Sequence, residues 1–349
     1  MNKRLRIFVC ISILLFFGKM SLQAEDFNAK KMIFSHIGDS YGWHITTWGD
    51  THITVPLPVI VISKTGGLNI FMSSKLEEEK IYDNFKIAQE GKYAGKVVEV
   101  NSSGEEVRPI DISITKNAFA IIINSIIMIL IIMYVARWYK RGPNVVPKGF
   151  VGAMEMFIMD INDSVIKPTV GKDYMRFSPY LLTAFFFIFI NNIMGLIPLF
   201  PAGANTTGNI AITMVLALCT FIAVNVFGTR EYWKEILWPK VPVWMKIPIP
   251  IMPVIEIFGI FTKPFALMIR LFANITAGHS IILALTSIIF VTVAMGPAVN
   301  TGMTIFSVIL SIFMNCVEIL VAYIQAYVFT MLSAVFIGLS RVEKHKIEA

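Results

Sequence analysis

Charge is scarce in this chain of 349 residues: 15% are Asp, Glu, Lys or Arg, whereas 56% are hydrophobic. Soluble domains carry about 25% charged residues. An ordinary water-soluble enzyme is therefore excluded, as are a disordered chain and a collagen-like repeat. Cysteine is scarcer still. Cys10, Cys219 and Cys316 stand in apolar surroundings with no neighbour at disulfide or metal-ligand spacing, and they read as small hydrophobic side chains. The phosphate-cradling pattern G-x-x-x-x-G-K-[ST] does not occur, so nothing points to nucleotide binding, and no cofactor or metal is expected.

The charges present fall unevenly. Residues 25–116 hold 13 acidic and 10 basic side chains, the density of a soluble domain. Residues 117–349 hold 10 acidic and 16 basic side chains in more than twice the length. The positive excess belongs to that second part and clusters in loops, as membrane topology predicts, so the basic balance does not point to nucleic acid. The N-terminus carries Lys3, Arg4 and Arg6, then the short apolar run Ile7 to Phe17, then Ser21-Leu22-Gln23-Ala24. This order reads as a signal peptide over 1–24, which places residue 25 outside the cytoplasm. Leu22 fits a cleavage site poorly, and an uncleaved anchor is the alternative.

Residues 25–116 contain β-branched, alternating stretches at 44–48, 52–55, 59–63 and 96–100, with a turn at Gly66-Gly67. They predict a small β-rich extracytoplasmic domain. His36, Asp39, His44 and His52 lack standard ligand spacing and read as scattered surface groups. Apolar runs then predict membrane spans at 119–135, 179–200 and 210–227, and two long helical segments at about 252–295 and 303–340. The last two exceed the ~20 residues a bilayer needs, which implies strong tilt, kinks, or a course partly along the membrane plane. Segment 137–148 carries Arg137, Lys140, Arg141 and Lys148 without an acid, segment 229–246 carries four basic residues, and the tail carries Arg341, Lys344 and Lys346. Loops 201–209 and 296–302 carry no charge. The positive-inside rule puts the first three in the cytoplasm and the last two outside, in agreement with the signal peptide. Residues 149–167 place Val151, Met154, Phe157, Ile158, Ile161 and Val165 at helical spacing, as an amphipathic helix on the cytoplasmic face would. The expected fold is an all-α polytopic membrane protein of about five membrane helices, the last two long and tilted, plus an interfacial amphipathic helix and the β-rich N-terminal domain. The domains are 1–24, 25–116 and 117–349.

Between 247 and 340 only Glu256, Lys263, Arg270 and Glu318 carry formal charge, with His279, Asn274 and Gln325 adding polarity. An ionisable group at membrane depth costs ~2.5–3.5 kcal/mol even on lenient scales, so these are functional candidates. The plainer account is an arginine paired with an acid to hold helices together, and a satisfied buried His–Glu pair. At 100° per residue, Glu256, Lys263, Arg270 and Asn274 share one stripe, with Glu256 about 21 Å from Arg270. His279 lies on the opposite face, about 13.5 Å away. On the last helix Glu318 and Gln325 share a face, about 10.5 Å apart. Antiparallel helices would thus form two polar stations, His279 with Glu318 and Arg270 with Gln325. A carboxylate beside an imidazole is a plausible proton relay.

Lys263-Pro264-Phe265-Ala266-Leu267-Met268-Ile269-Arg270-Leu271-Phe272-Ala273-Asn274, followed by Ala277-Gly278-His279, resembles the signature of the a subunit of the rotary F-type ATP synthase. Glu318, seven residues before Gln325-Ala326-Tyr327-Val328-Phe329, resembles that family's last helix, and Asn191 to Pro198 and Gly149 to Glu155 fit as well. The resemblance covers about 117–340. It implies a proton-translocating stator subunit, with sodium ions the alternative cargo. Arg270 then faces a rotating c ring, and Gln325 is its neighbour. His279 and Glu318 line the outer half-channel, while Asn274 and Glu256 lie on the path of proton access. It further implies a b-subunit peripheral stalk as partner, a place in the bacterial inner membrane with the C-terminus cytoplasmic, and ATP chemistry on other subunits. Many bacterial members carry an acid after Ala-Gly and a histidine where Glu318 stands, so here the pair is exchanged. A secondary transporter is the runner-up, yet no internal repeat with matching broken helices occurs. A membrane-anchored receptor would leave the polar stations unexplained.

Overall fold

The computed structural model describes residues 33, 37–48, 51–63, 66–89, 91–101, 105–140, 146–197, 202–238 and 251–341. The expected signal peptide, His36, Cys10 and the charged tail beyond Arg341 lie outside these residues, as do the side chains of His44 and His52.

Among the described residues the front domain has eight short strands in three small antiparallel sheets. Strand β1 (Gly42–Trp48) pairs with β2 (Thr51–Pro56). Strand β3 (Pro58–Ser63) is flanked by β4 (Gly67–Met72) and β8 (Ile110–Asp111), and β6 (Val97–Val100) by β5 (Phe85–Ile87) and β7 (Glu106–Val107). The predicted turn closes the β3–β4 hairpin, with Ser63 opposite Gly67, whose φ of 76° suits glycine. Alternation along β3 buries Val59 and Val61 against Phe71, Leu76 and Phe85. Tyr41 is buried in the same cluster and donates its hydroxyl to Asp111. Burial first, and the carboxylate second, raise its pKa well above the usual tyrosine range, so this hydroxyl stays protonated as a donor.

The rest of the described chain is helical. Helix α1 (Lys116–Tyr139) starts at Thr115, whose hydroxyl accepts from Ala118 N at 3.4 Å. Helix α2 (Gly149–Met159) continues through a π-helical turn (Asp160–Ile166) into α3 (Lys167–Val170). Helices α4 (Tyr174–Leu196), α5 (Ile210–Val226) and α6 (Arg230–Leu237) follow, α5 and α6 meeting at 98°. Helices α7 (Ile251–Val291) and α8 (Pro297–Ser340) complete the described part. Among the described residues four helical segments are long and apolar enough to cross a membrane, or five if the bent α5–α6 pair is one span. At 41 and 44 residues, α7 and α8 are more than 60 Å long, twice a ~30 Å hydrocarbon core and longer than a straight crossing needs.

The 149–167 segment has the expected stripe, with Val151, Met154, Ile161 and Val165 buried and Asp160 and Asp163 exposed. What that stripe covers is protein. After Gly171 (φ 77°) the chain folds back, so Ser178 Oγ donates to Asn162 Oδ1 at 2.7 Å, where a straight helix would hold them about 24 Å apart. The Phe157 ring lies 5.8 Å from Phe189 on α4 and 6.0 Å from Tyr323 on α8. Aromatic side chains on two neighbouring helices match the stripe better than water or headgroups can. At the end of α8, Arg341 Nε donates to Asp173 Oδ2 at 2.7 Å and its Nη1 donates to the Phe227 carbonyl at 2.9 Å, fixing three chain segments to one guanidinium.

Candidate functional site

The polar residues of α7 and α8 are set by two antiparallel helices joined through a 3-10 turn (Thr292–Met295) and Gly296, whose φ is 100°. His279 Nδ1 and Glu318 Oε1 face each other at 3.6 Å, with the Glu318 side chain 4% exposed. Neither oxygen of this carboxylate has a hydrogen-bond donor among the described residues. The pair fits because two glycines flank it. A Cβ at Gly278 would stand 2.8 Å from Glu318 Oε1, so the carboxylate lies directly on backbone. A Cβ at Gly195 on α4 would meet His279 Nε2 at 3.5 Å and the Ala204 carbonyl at 3.3 Å.

A buried polar network adjoins the pair. Asn124 on α1 donates to Asn191 Oδ1 at 3.0 Å, and Thr206 donates to the same oxygen at 3.1 Å. Thr207 donates to Asn192 Oδ1 at 2.6 Å, and Asn192 donates to the Ala322 carbonyl on α8 at 3.2 Å. Sequence reasoning noted Asn191 to Pro198 as fitting the family resemblance, and it missed Asn124, Thr206 and Thr207. A lone Asn within the Ile- and Met-rich 119–135 run was the visible clue.

Gln325 is 8% exposed and shares a helical face with Glu318, toward the α8 C-terminus. Arg270 lies nine residues before His279 on α7, so the two point to opposite faces. The axial offsets, about 10.5 and 13.5 Å, bring Gln325 and Arg270 to within about 3 Å of the same level. No hydrogen bond joins them among the described residues. Arg270 is exposed, as is Asn274 one turn on, and no described acid pairs with the guanidinium. The exposed residues that share its face of α7 are small or polar: Ala266, Ala273, Asn274 and Ala277. Glu256 is half-buried toward the start of α7. Between Glu256 and Arg270, Lys263 lines a small cavity with Tyr232, Thr220 and Asn225, its Nζ 5.8 Å from the Phe336 ring centroid. Among the described residues no group of three His, Cys, Asp or Glu could hold a metal ion.

The ATP synthase A chain family model matches residues 118–338, and a second model, a domain of unknown function, matches residues 32–116. The chain is 43% identical over 236 residues to ATP synthase subunit a of Chlorobium phaeobacteroides, covering 66% of each chain. It is 41% identical over 266 residues to ATP synthase subunit a 2 of Chlorobaculum tepidum, covering 72% of this chain and 71% of that one. With ATP synthase subunit a of an Anaeromyxobacter species it shares 38% over 259 residues, covering 70% of this chain and 58% of the relative. The chain thus spans about two thirds of the length of the curated relatives it matches.

Proposed function

Because the chain belongs to the ATP synthase A chain family, a non-catalytic membrane subunit with ATP chemistry elsewhere in the complex, we propose that it is the proton-translocating stator subunit, with two half-channels and an arginine that faces a rotating c ring. The observation that carries this is Arg270, exposed on a face of α7 lined by small residues and Asn274, with no acid partner among the described residues. In lipid such a cation costs several kcal/mol. The cost disappears if a carboxylate on an adjoining subunit faces it. Protons then come from outside past His279 and Glu318 and neutralise a ring carboxylate. The neutral site turns into lipid, where a charged one could not go cheaply. On its return, Arg270 favours the ionised carboxylate by opposite charge, and the proton leaves toward the cytoplasm near Glu256. The guanidinium keeps its proton throughout, so it separates the two half-channels without relaying between them. A transmembrane potential supplies ~2.3 kcal/mol per charge per 100 mV. The positive loops support a multi-pass chain in the bacterial inner membrane, front domain outside and C-terminus inside, with a b-subunit peripheral stalk holding it against the ring.

Mild-detergent purification of the tagged chain tests this directly, because a small ring-forming subunit with a mid-helix carboxylate should co-purify. Recovery of a chain that transports ions by itself would overturn the proposal. Gly278→Val is a sharper probe of the outer path. Two γ-methyl groups would displace the Glu318 carboxylate, and proton-driven ATP synthesis in membrane vesicles should fall at least about tenfold while the ring still co-purifies.

A further inference from the structure

One flank of the β4-β3-β8 sheet runs into the first membrane helix without a linker. Beyond Asp111 the chain stays paired to β3, since Ile112 N donates to the Ile60 carbonyl at 2.9 Å and Ile114 N to the Pro58 carbonyl at 3.2 Å. Thr115 then caps α1. The helix start is tied to the domain a second time: Asn117 N donates to Asp39 Oδ1 at 3.1 Å, and Lys116 N to the Ser40 carbonyl at 2.8 Å. These bonds fix the directions of the two sheet faces relative to α1.

The inner face carries Val59, Val61 and Phe71 and packs with Tyr41, whose hydroxyl donates to Asp111. Two residues beyond Tyr41, Trp43 packs with Ala120 of α1 and Ala204 of the 202–209 loop, its ring 6.1 Å from Phe119. Ala120 belongs to the buried side of α1, with Asn117 and Asn124. The inner face thus continues onto the protein side of the helix, and the outer face turns toward the opposite side. There Ile122, Ile126, Ile129 and Met133 recur at helical spacing, all exposed.

The outer face of the sheet is apolar throughout. On β4 it presents Leu68, Ile70 and Met72, and on the flank that leads to α1 it presents Ile110 and Ile112, all exposed. The outward positions of β3 between them, 58, 60 and 62, are apolar as well. An antiparallel sheet with one face in water alternates apolar-in and polar-out, and this one does not. A contiguous apolar patch of this kind marks a contact surface.

We propose that this face lies on lipid, in the leaflet that α1 enters, with its strands running along the membrane surface. The inference goes beyond the function proposed above and needs only that α1 crosses a membrane. Its basis is continuity. The hydrocarbon core is flanked by interfacial layers roughly 5–7 Å thick. Ile114 stands one residue, ~3 Å, before the cap of α1, so the apolar row it begins starts within that layer. Strand spacing of ~4.8 Å carries the row across Pro58 to Met72, ~10 Å aside. Ile112 and Ile110 follow at ~7 Å steps along the chain, and strands parallel to the surface bring them to the same depth. The sheet then extends the lipid-facing stripe of α1, and its apolar side chains enter the boundary between headgroups and acyl chains as interfacial helices do.

The test uses the whole complex in vesicles of phosphatidylethanolamine and phosphatidylglycerol. Ile70→Cys and Ile112→Cys are made separately, in a chain carrying Cys10→Ser, Cys219→Ser and Cys316→Ser. Lys92→Cys, on the exposed 91–93 turn, is the reference. Each cysteine is labelled with a benzophenone maleimide and irradiated, and the peptides of this chain are weighed. Lipid adducts should form at both positions, with yields at least about tenfold above Lys92→Cys. Ile70 is 65% and Ile112 58% exposed, so neither replacement opens the core. If one variant does not assemble, the other decides. Adducts joining two copies of this chain would make the face an interface between complexes, and adducts to another subunit would make it a protein-docking site. Yields no higher than at Lys92→Cys would leave it in water. Each of these three outcomes overturns the proposal, and none bears on Arg270, whose variants test the functional reading separately.

Discussion

Arg270→Ala should abolish proton-driven ATP synthesis in reconstituted complexes, by at least about a hundredfold, while the ring remains bound. The size follows from what the guanidinium replaces. Removing one partner of a buried charge pair costs about 3–5 kcal/mol, a factor of about 10² to several thousand, because the other charge is left without compensation. Here that other charge would be a ring carboxylate required to ionise as it passes. Without the cation it stays protonated and carries its proton past the exit. The neighbours on its face of α7 leave it no substitute, since Ala266 and Ala273 offer no charge and Asn274 offers only a dipole. Passive proton leak should rise, because the permanently charged barrier between the half-channels is gone. Arg270→Lys should also fail, for an ammonium is a point charge without the planar fork that reaches two acceptors at once. The measurement is the initial rate of synthesis after an imposed pH gradient, with leak read from gradient decay. Coupled synthesis in Arg270→Ala would sink the assignment of this residue.

The reach of sequence reasoning varied with the strength of the local pattern. The long apolar runs that became α1, α4, α5, α7 and α8 were legible because a bilayer demands unbroken hydrophobic length, and boundaries moved only by a few residues. The strands at 42–48, 51–56, 58–63 and 97–100 were legible from alternation. Strand β4 was not: in Gly67–Met72 the outward residues Leu68, Ile70 and Met72 are themselves apolar and exposed, so the period of two carries no polarity signal. Strands of two residues, such as β7 and β8, are below any pattern. The stripe on 149–167 was legible but its destination was not, because apolar spacing does not distinguish a membrane surface from the Phe189 and Tyr323 rings. At the site, helical arithmetic put His279 opposite Arg270, and antiparallel packing put it level with Glu318. The roles of Gly195 and Gly278 were hidden, since a glycine in a helix announces no neighbour until the neighbour is seen. The Asp39–Asn117 contact joins positions 78 apart in the chain and could come only from the folded structure.

The exchanged double variant His279→Glu with Glu318→His should restore most of what either single variant destroys. Each single change leaves two like groups across 3.6 Å. His279→Glu sets two carboxylates face to face, and mutual repulsion forces them to share a proton instead of passing it. Glu318→His leaves two imidazoles and no acceptor of fixed negative charge. General acid–base transfer by a positioned group is worth about 10²–10⁴-fold, so each single variant should lose proton-driven synthesis by ten- to a hundredfold at least. The double variant again presents one imidazole and one carboxylate at the same two positions, which is the order the family resemblance implies for many relatives. It should return to within about tenfold of the unaltered rate, the remainder reflecting a larger ring against the Gly278 backbone, where the carboxylate now rests. Coupling between the two changes would then be strongly non-additive, in the direction of rescue, as expected for residues acting as one unit. If the losses merely add, His279 and Glu318 do not form a relay, and their contact serves only to pack α7 against α8.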